Sequence, residues 1–116
     1  MTDPTTLDWA AIAADRAERE WPMIEQAARQ VVTVEAASYV LWRWTGGQAG
    51  VAPGKFHEAL LDAIETADKD NQDRLIRAFP EFMAAWGLAK HHRGAGLDLL
   101  TEIANTPETP AGRESP

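Results

Sequence analysis

A chain of 116 residues with 45% hydrophobic and 25% charged side chains has the material for one globular core and no room for two. Having no cysteine, it excludes disulfides, thiolate nucleophiles and cysteine-held metal centres, and it must fold on packing alone. Eighteen acidic against eleven basic residues, a net charge of -7, argue against direct binding to nucleic acid or to an anionic membrane surface.

The chain begins Met1-Thr2-Asp3-Pro4, without the basic start of an export signal, and nowhere approaches the roughly 18 apolar residues of a membrane span. A cytoplasmic protein is therefore expected. Helical period recurs in almost every segment and sustained apolar/polar alternation in none, which predicts an all-α single domain. The expected architecture is a compact helical bundle of four to six helices over residues 1–105, followed by a mobile, proline-rich tail at 106–116.

The first helix is predicted from about Leu7 to Arg19, with Thr6 as N-cap, Asp8 in the first turn and an Asp15–Arg19 pair. Trp21-Pro22 should end it, because the residue before a proline is pushed away from helical geometry while proline suits a helix start. A second, long helix then runs from Pro22 to Trp44, with Met23, Ala27, Val31, Val34, Ala37, Leu41 and Trp44 on its apolar side. The β-branched run Val31-Val32-Thr33-Val34 lies within that helix, since the helical pattern continues on both sides of it.

Thr45 to Gly54 is the long interior loop, closed and opened by glycines and Pro53. The third helix, Pro53 to about Ala67, carries Phe56, Ala59, Leu60, Ala63, Ile64 and Ala67 at i, i+3, i+4, i+7, i+8 and i+11. Asp70 is the expected N-cap of a fourth helix with Asp70–Arg74 and Asp73–Arg77 pairs. Leu75, Ile76, Phe79, Phe82, Met83 and Trp86 keep one face across Phe79-Pro80, so that segment is either one kinked helix or two stacked ones. Gly94-Ala95-Gly96 should end it, leaving Leu97 to Asn105 as a short last helix. The predicted core gathers Trp42 or Trp44, Phe56, Leu60, Ile64, Phe79 and Phe82.

Several stretches begin like chemical motifs and fail on particular residues. Gly50-Val51-Ala52-Pro53-Gly54-Lys55-Phe56 is one residue short of a phosphate-binding loop, and Phe56 stands where a hydroxyl would hold magnesium. What survives is an anion at the amides of the third helix beside Lys55. His57-Glu58-Ala59-Leu60-Leu61 lacks the second histidine of a zinc-hydrolase helix, its fifth position being the core residue Leu61. Asp68-Lys69-Asp70-Asn71-Gln72-Asp73 lacks the glycine and the final glutamate of a calcium loop. His91 and His92 are adjacent and point about 100° apart on a helix, a poor chelating pair. No metal site, cofactor or catalytic residue is predicted.

The stretch Phe56-His57-Glu58-Ala59-Leu60-Leu61-Asp62-Ala63-Ile64, continued by Asn71 through Arg74-Leu75 to Ala78-Phe79-Pro80-Glu81-Phe82, resembles small helical proteins of actinobacteria and their phages. The resemblance implies a helical fold and a phage or mobile-element setting, and assigns no functional residue.

Glu58, Asp62 and Glu65 fall at i, i+4 and i+7, one acidic stripe on the third helix. Trp42 and Trp44 face different sides of the second helix, so one of them can serve an interface while the other fills the core. The leading expectation is a non-catalytic protein-interaction module using Glu58, Asp62, Glu65, Trp42 and Trp44 toward a protein partner or a second copy of the chain. Two alternatives stand beside it. One is a small ligand- or metal-binding regulator or enzyme using His57, His91 or His92, and the other is an acidic mimic of nucleic acid.

Overall fold

Pro22 does not end the first helix. In the computed structural model, which describes residues 9–106, α1 spans Trp9–Val31 with Pro22 inside it. Thr6, Asp8 and the tail from 107 onward lie outside the described residues. Beyond α1 come α2 (Val34–Trp44), α3 (Lys55–Thr66), α4 (Lys69–Ala78), α5 (Pro80–His91) and α6 (Arg93–Ala104), with no strand among the described residues. The chain is all-α, as its periodicity predicts.

The helix breaks instead at the β-branched run. Val32 still donates to the Ala28 carbonyl (2.8 Å), after which Thr33 turns extended and its hydroxyl accepts from the Ala36 amide at 3.0 Å, capping α2. Val32 is buried at the elbow, so the break stabilises a packed side chain as well as a cap. Trp21 and Ile24 pack against the core on either side of Pro22, and Trp21 meets the His92 ring at 5.5 Å. Those anchors hold one helix across a residue that lacks an amide proton and crowds the preceding turn. Met23, expected inside, is 75% exposed, and Ala27 and Val31 also face outward.

Because Pro22 is itself exposed, nothing in the core rewards its ring. Pro22→Ala should therefore stabilise the protein by about 1–2 kcal/mol, the part of proline's helix penalty that local adjustment has not relieved. Chemical denaturation measures this, and a loss of stability would show that the ring is needed.

The centre is a three-way contact of α2, α5 and α6. Ala36, Ala37, Val40 and Leu41 of α2 meet Phe82, Ala85, Leu88 and Ala89 of α5 and Leu99, Leu100 and Ile103 of α6. The buried alanines keep the helix backbones close. Closest of all is Gly96, where a Cβ would collide with the Leu88 carbonyl. Gly94-Ala95-Gly96 thus lies inside α6 and does not end the array, because a glycine is what the α5–α6 crossing needs.

The 45–54 loop folds back on α2: Val51 donates to the Ser38 carbonyl at 3.1 Å, and Gly50, at φ +84°, leaves room for that oxygen. The α3 helix reaches the centre through Leu60, Leu61 and Ile64. Its buried side is His57-Leu60-Leu61-Ile64, rotated from the expected one, so Ala59 and Ala63 face solvent and Phe56 is 61% exposed. Of the other predicted core residues, Leu60, Ile64 and Phe82 are buried, while Phe79, Trp42 and Trp44 are half-buried.

The fourth segment is two helices: Phe79 leaves helical geometry and Pro80 opens α5. Asp68, in place of the expected Asp70, caps α4 by accepting from the Asn71 amide at 2.9 Å. Its ion pair is Lys69–Asp73 (2.9 Å), and Arg74 donates to Asn71, so neither expected Asp–Arg pair forms. Asp15–Arg19 does form, at 2.8 Å.

Arg29 ties α1 to α6, donating to Glu102 (2.7 Å) as well as to Glu25 (2.8 Å). The bond to Glu102, then that to Glu25, holds the guanidinium above its ordinary value. A raised pKa contributes stability fully present below the unfolded value, so the guanidinium keeps its charge, and its side of this tie, throughout the neutral range.

Candidate functional site

The acidic stripe of α3 lies on the surface, but two of its three carboxylates are engaged. Arg43, projecting from the last turn of α2, donates to Asp62 at 2.8 Å and to Glu65 at 3.0 Å. Glu58 is exposed one turn earlier. Because α3 approaches its neighbours more through side chains than through backbone, Arg43 works as a latch that sets where α3 lies. Arg43→Gln should cost about 1 kcal/mol, with the difference from wild type shrinking as salt is raised. A loss that ignores salt would assign the effect to the packing of the arginine stem.

Trp42 and Trp44 are not brought together. Trp42 lies beside Gly47 in the following turn, where a Cβ would stand 3.5 Å from its ring nitrogen. Trp44 packs edge-on against Trp86 of α5, with ring centroids 5.4 Å apart, and the Arg93 guanidinium stands 5.4 Å from its ring. The Trp44 Nε1 is buried and has no acceptor. Arg43, Glu65 and Lys90 join the two rings around a cavity of about 330 Å³. Trp44 is thus a wall residue shared by α2, α5 and α6, and the stripe reaches it through Glu65.

The histidines are dispersed in role as well as in sequence. His57 lies flat against Phe82 (5.3 Å, 25°) and beside Tyr39 (4.9 Å), with a Glu35 carboxylate oxygen 3.9 Å from its Nε2. His92 sits between α5 and α6 against Trp21, and His91 faces solvent. Among the described residues no group of three or more histidine, aspartate or glutamate side chains could hold a metal ion. Lys55 is exposed at the first position of α3, behind Gly54, which makes no side-chain cap.

Two concavities flank α5. One, of about 400 Å³, is bounded by Ile64 and Glu65 of α3, Ile76 of α4, and Met83, Trp86 and Gly87 of α5. The other, of about 360 Å³, lies toward α1, where Ile24, Ala27 and Val31 form its wall. They share Ala84, Gly87 and His91, so the outer face of α5 forms the low ground between α1 and the α3–α4 pair. Ile76, expected on the shared apolar face of the fourth segment, is 49% exposed on this rim, and Val31 is 42% exposed on the opposite one.

This face is hidden in the sequence because its large side chains, Ile76, Met83 and Trp86, read as one apolar face with Leu75, Phe79 and Phe82. The available signal was the α5 stripe Pro80, Ala84, Gly87 and His91 at i, i+4, i+7 and i+11, which has no large aliphatic or aromatic hydrocarbon side chain to bury.

No helix among the described residues is long and apolar enough to cross a membrane. Compared with protein families, curated proteins and solved structures, the chain matches none of them.

Proposed function

We propose that the chain is a non-catalytic protein-interaction module, engaging a partner across the α3–α5 face. One observation carries this reading: exposed apolar side chains, Ile76 on one side and Val31 on the other, rim two open depressions that share the α5 residues Ala84, Gly87 and His91, on a chain whose net charge is -7. Apolar surface grouped around a concavity and bordered by charge is characteristic of protein contacts, whereas singly scattered apolar residues need no explanation. The acidic stripe reaches this face through Glu65 and, with Arg43 holding Asp62 and Glu65 and Glu58 exposed beyond them, keeps a net negative charge that would speed encounter with a basic partner. Such a module suits an accessory factor of a phage or mobile element, whose work is to engage another protein.

The test is capture from extracts of the cells that carry the gene, with wild-type protein beside two variants, Ile76→Glu and Glu58→Lys/Glu65→Lys. A partner held by wild type and lost by at least one variant supports the reading. A full set of captured proteins indifferent to both variants would sink it, provided that both variants show wild-type helical content.

A further inference from the structure

The α3 helix is held differently from the centre of the bundle. Helices α2, α5 and α6 lie backbone to backbone over Ala36, Ala37, Ala85, Ala89 and Gly96, whereas α3 makes no comparably close approach to any helix among the described residues. Its grip is chiefly three buried aliphatic side chains, Leu60, Leu61 and Ile64, the His57 ring against Phe82 and Tyr39, and the bonds from Arg43 to Asp62 and Glu65.

Both ends of the helix are joints. Gly54 before it and Ala67 after it are extended, and Gly54 provides no side-chain cap. On the N-terminal side the Val51 amide pins the loop to the Ser38 carbonyl of α2, which leaves residues 52–54 between that pin and the helix. On the C-terminal side α4 starts on its own cap, Asp68, and packs against α5. Twelve residues are also too few for a stable isolated helix in water. Once its side chains lose their seats, α3 unwinds and gains the slack to move away while the elements on either side stay in place.

We propose that α3 is a latched flap: it opens as one unit while α2, α5 and α6 stay assembled, and Arg43 is the latch. A segment held by few buried contacts opens at lower cost than the whole chain unfolds. What the flap uncovers is the α2–α5 seam, with Tyr39 and Phe82 beneath His57, and the Trp44–Trp86 cavity that Glu65 borders. The latch carboxylates are exposed, so dissolved salt weakens their bonds to Arg43, while the alanine-lined centre offers it no charge to screen. Ionic strength therefore sets how often the flap opens.

A chain without cysteine makes this opening measurable. Leu60→Cys and Ile64→Cys each place a single thiol on the buried side of α3, where a disulfide reagent reaches it only in an open state. Labelling in each should run at least about tenfold faster than whole-chain unfolding allows, as judged by urea denaturation of the same variant. Adding Arg43→Gln should speed labelling about fivefold at both positions. Added sodium chloride should speed it too, measured against a free thiol, and should lose most of that effect once Arg43 is replaced.

The deciding background is Ile103→Val. Shortening this buried α6 side chain should raise the whole-chain unfolding constant by about fivefold, yet the α3-open state keeps the contact and loses nothing by comparison. Labelling of α3 should therefore stay at its former rate. Labelling that accelerates with Ile103→Val would show that α3 opens only with the whole chain and would overturn the flap. A response to Arg43→Gln at Ile64→Cys alone would overturn it as well, reducing the flap to a loose helix end. Equal salt responses with and without Arg43 would overturn the latch.

Discussion

Phe82→Ala should lower the free energy of unfolding by about 3–5 kcal/mol, a large fraction of the roughly 5–15 kcal/mol typical of such domains. The ring is 2% exposed and joins three helices: His57 of α3 stacks on it at 5.3 Å, Tyr39 of α2 lies 6.4 Å away, and α5 supplies its own backbone. Truncation removes the buried area and leaves a void that helices already in close contact cannot fill. Phe56→Ala is the matched control, since that ring is 61% exposed and meets only His57, edge-on at 5.1 Å, and Phe79 at 6.2 Å among the described rings. Its cost should stay below about 1 kcal/mol. Urea denaturation of both variants decides the point, and equal losses would place the structural centre somewhere other than Phe82.

Gly96→Ala should cost about 3 kcal/mol or more, which is large for the addition of one methyl group. The new Cβ meets the carbonyl oxygen and carbon of Leu88, and backbone cannot rotate aside as a side chain can. To accommodate it, α6 must move off α5, which loosens Leu99, Leu100 and Ile103 against Leu88 and Ala85. Helix propensity alone would make the same substitution favourable by about 1 kcal/mol, so the sign of the change separates the two causes. Gly87→Ala supplies the contrast and should be neutral or stabilising.

How far the fold is legible in the sequence can be judged at these same glycines. Read locally, Gly94-Ala95-Gly96 marks an end, and Trp21-Pro22 marks another. Both readings fail for one reason: tertiary packing outweighs a local preference of a few kcal/mol when large residues on either side are anchored. Trp21 and Ile24 carry α1 through its proline, and Leu97 to Ile103 commit α6 to the Leu88 crossing. Where no neighbour intervenes, the local signals are right. Pro80 starts α5, and the loop glycines 46, 47 and 50 all take positive φ. Thr33 shows a signal present but weighed too lightly, since a threonine amid valines is both a poor helix interior and a good cap.

On α3 the period is legible and the phase is not. Leu60 and Ile64 belong to both the expected and the observed faces; the choice between Phe56 and His57 depends on Tyr39 and Phe82, residues remote in sequence. The stripe Glu58, Asp62 and Glu65 is visible as an exposed pattern, but Arg43 lies across a ten-residue loop and no local spacing announces the pairing. The same holds for Trp44 and Trp86, which meet only once α2 lies against α5.

One helix also spans two regimes of stability. Among the described side chains of α1, Trp21 is the first to pack on the core, whereas Ile12, Asp15, Arg16, Glu18, Arg19 and Glu20 all face solvent. Ala28, a turn and more beyond Pro22, is buried. Amide protons before Trp21 should thus exchange with deuterium through local fraying, while those near Ala28 wait for the opening of the whole domain. A protection gradient along a single unbroken helix, with its step at Trp21, would mark the edge of the cooperative unit inside an element that secondary structure alone treats as uniform.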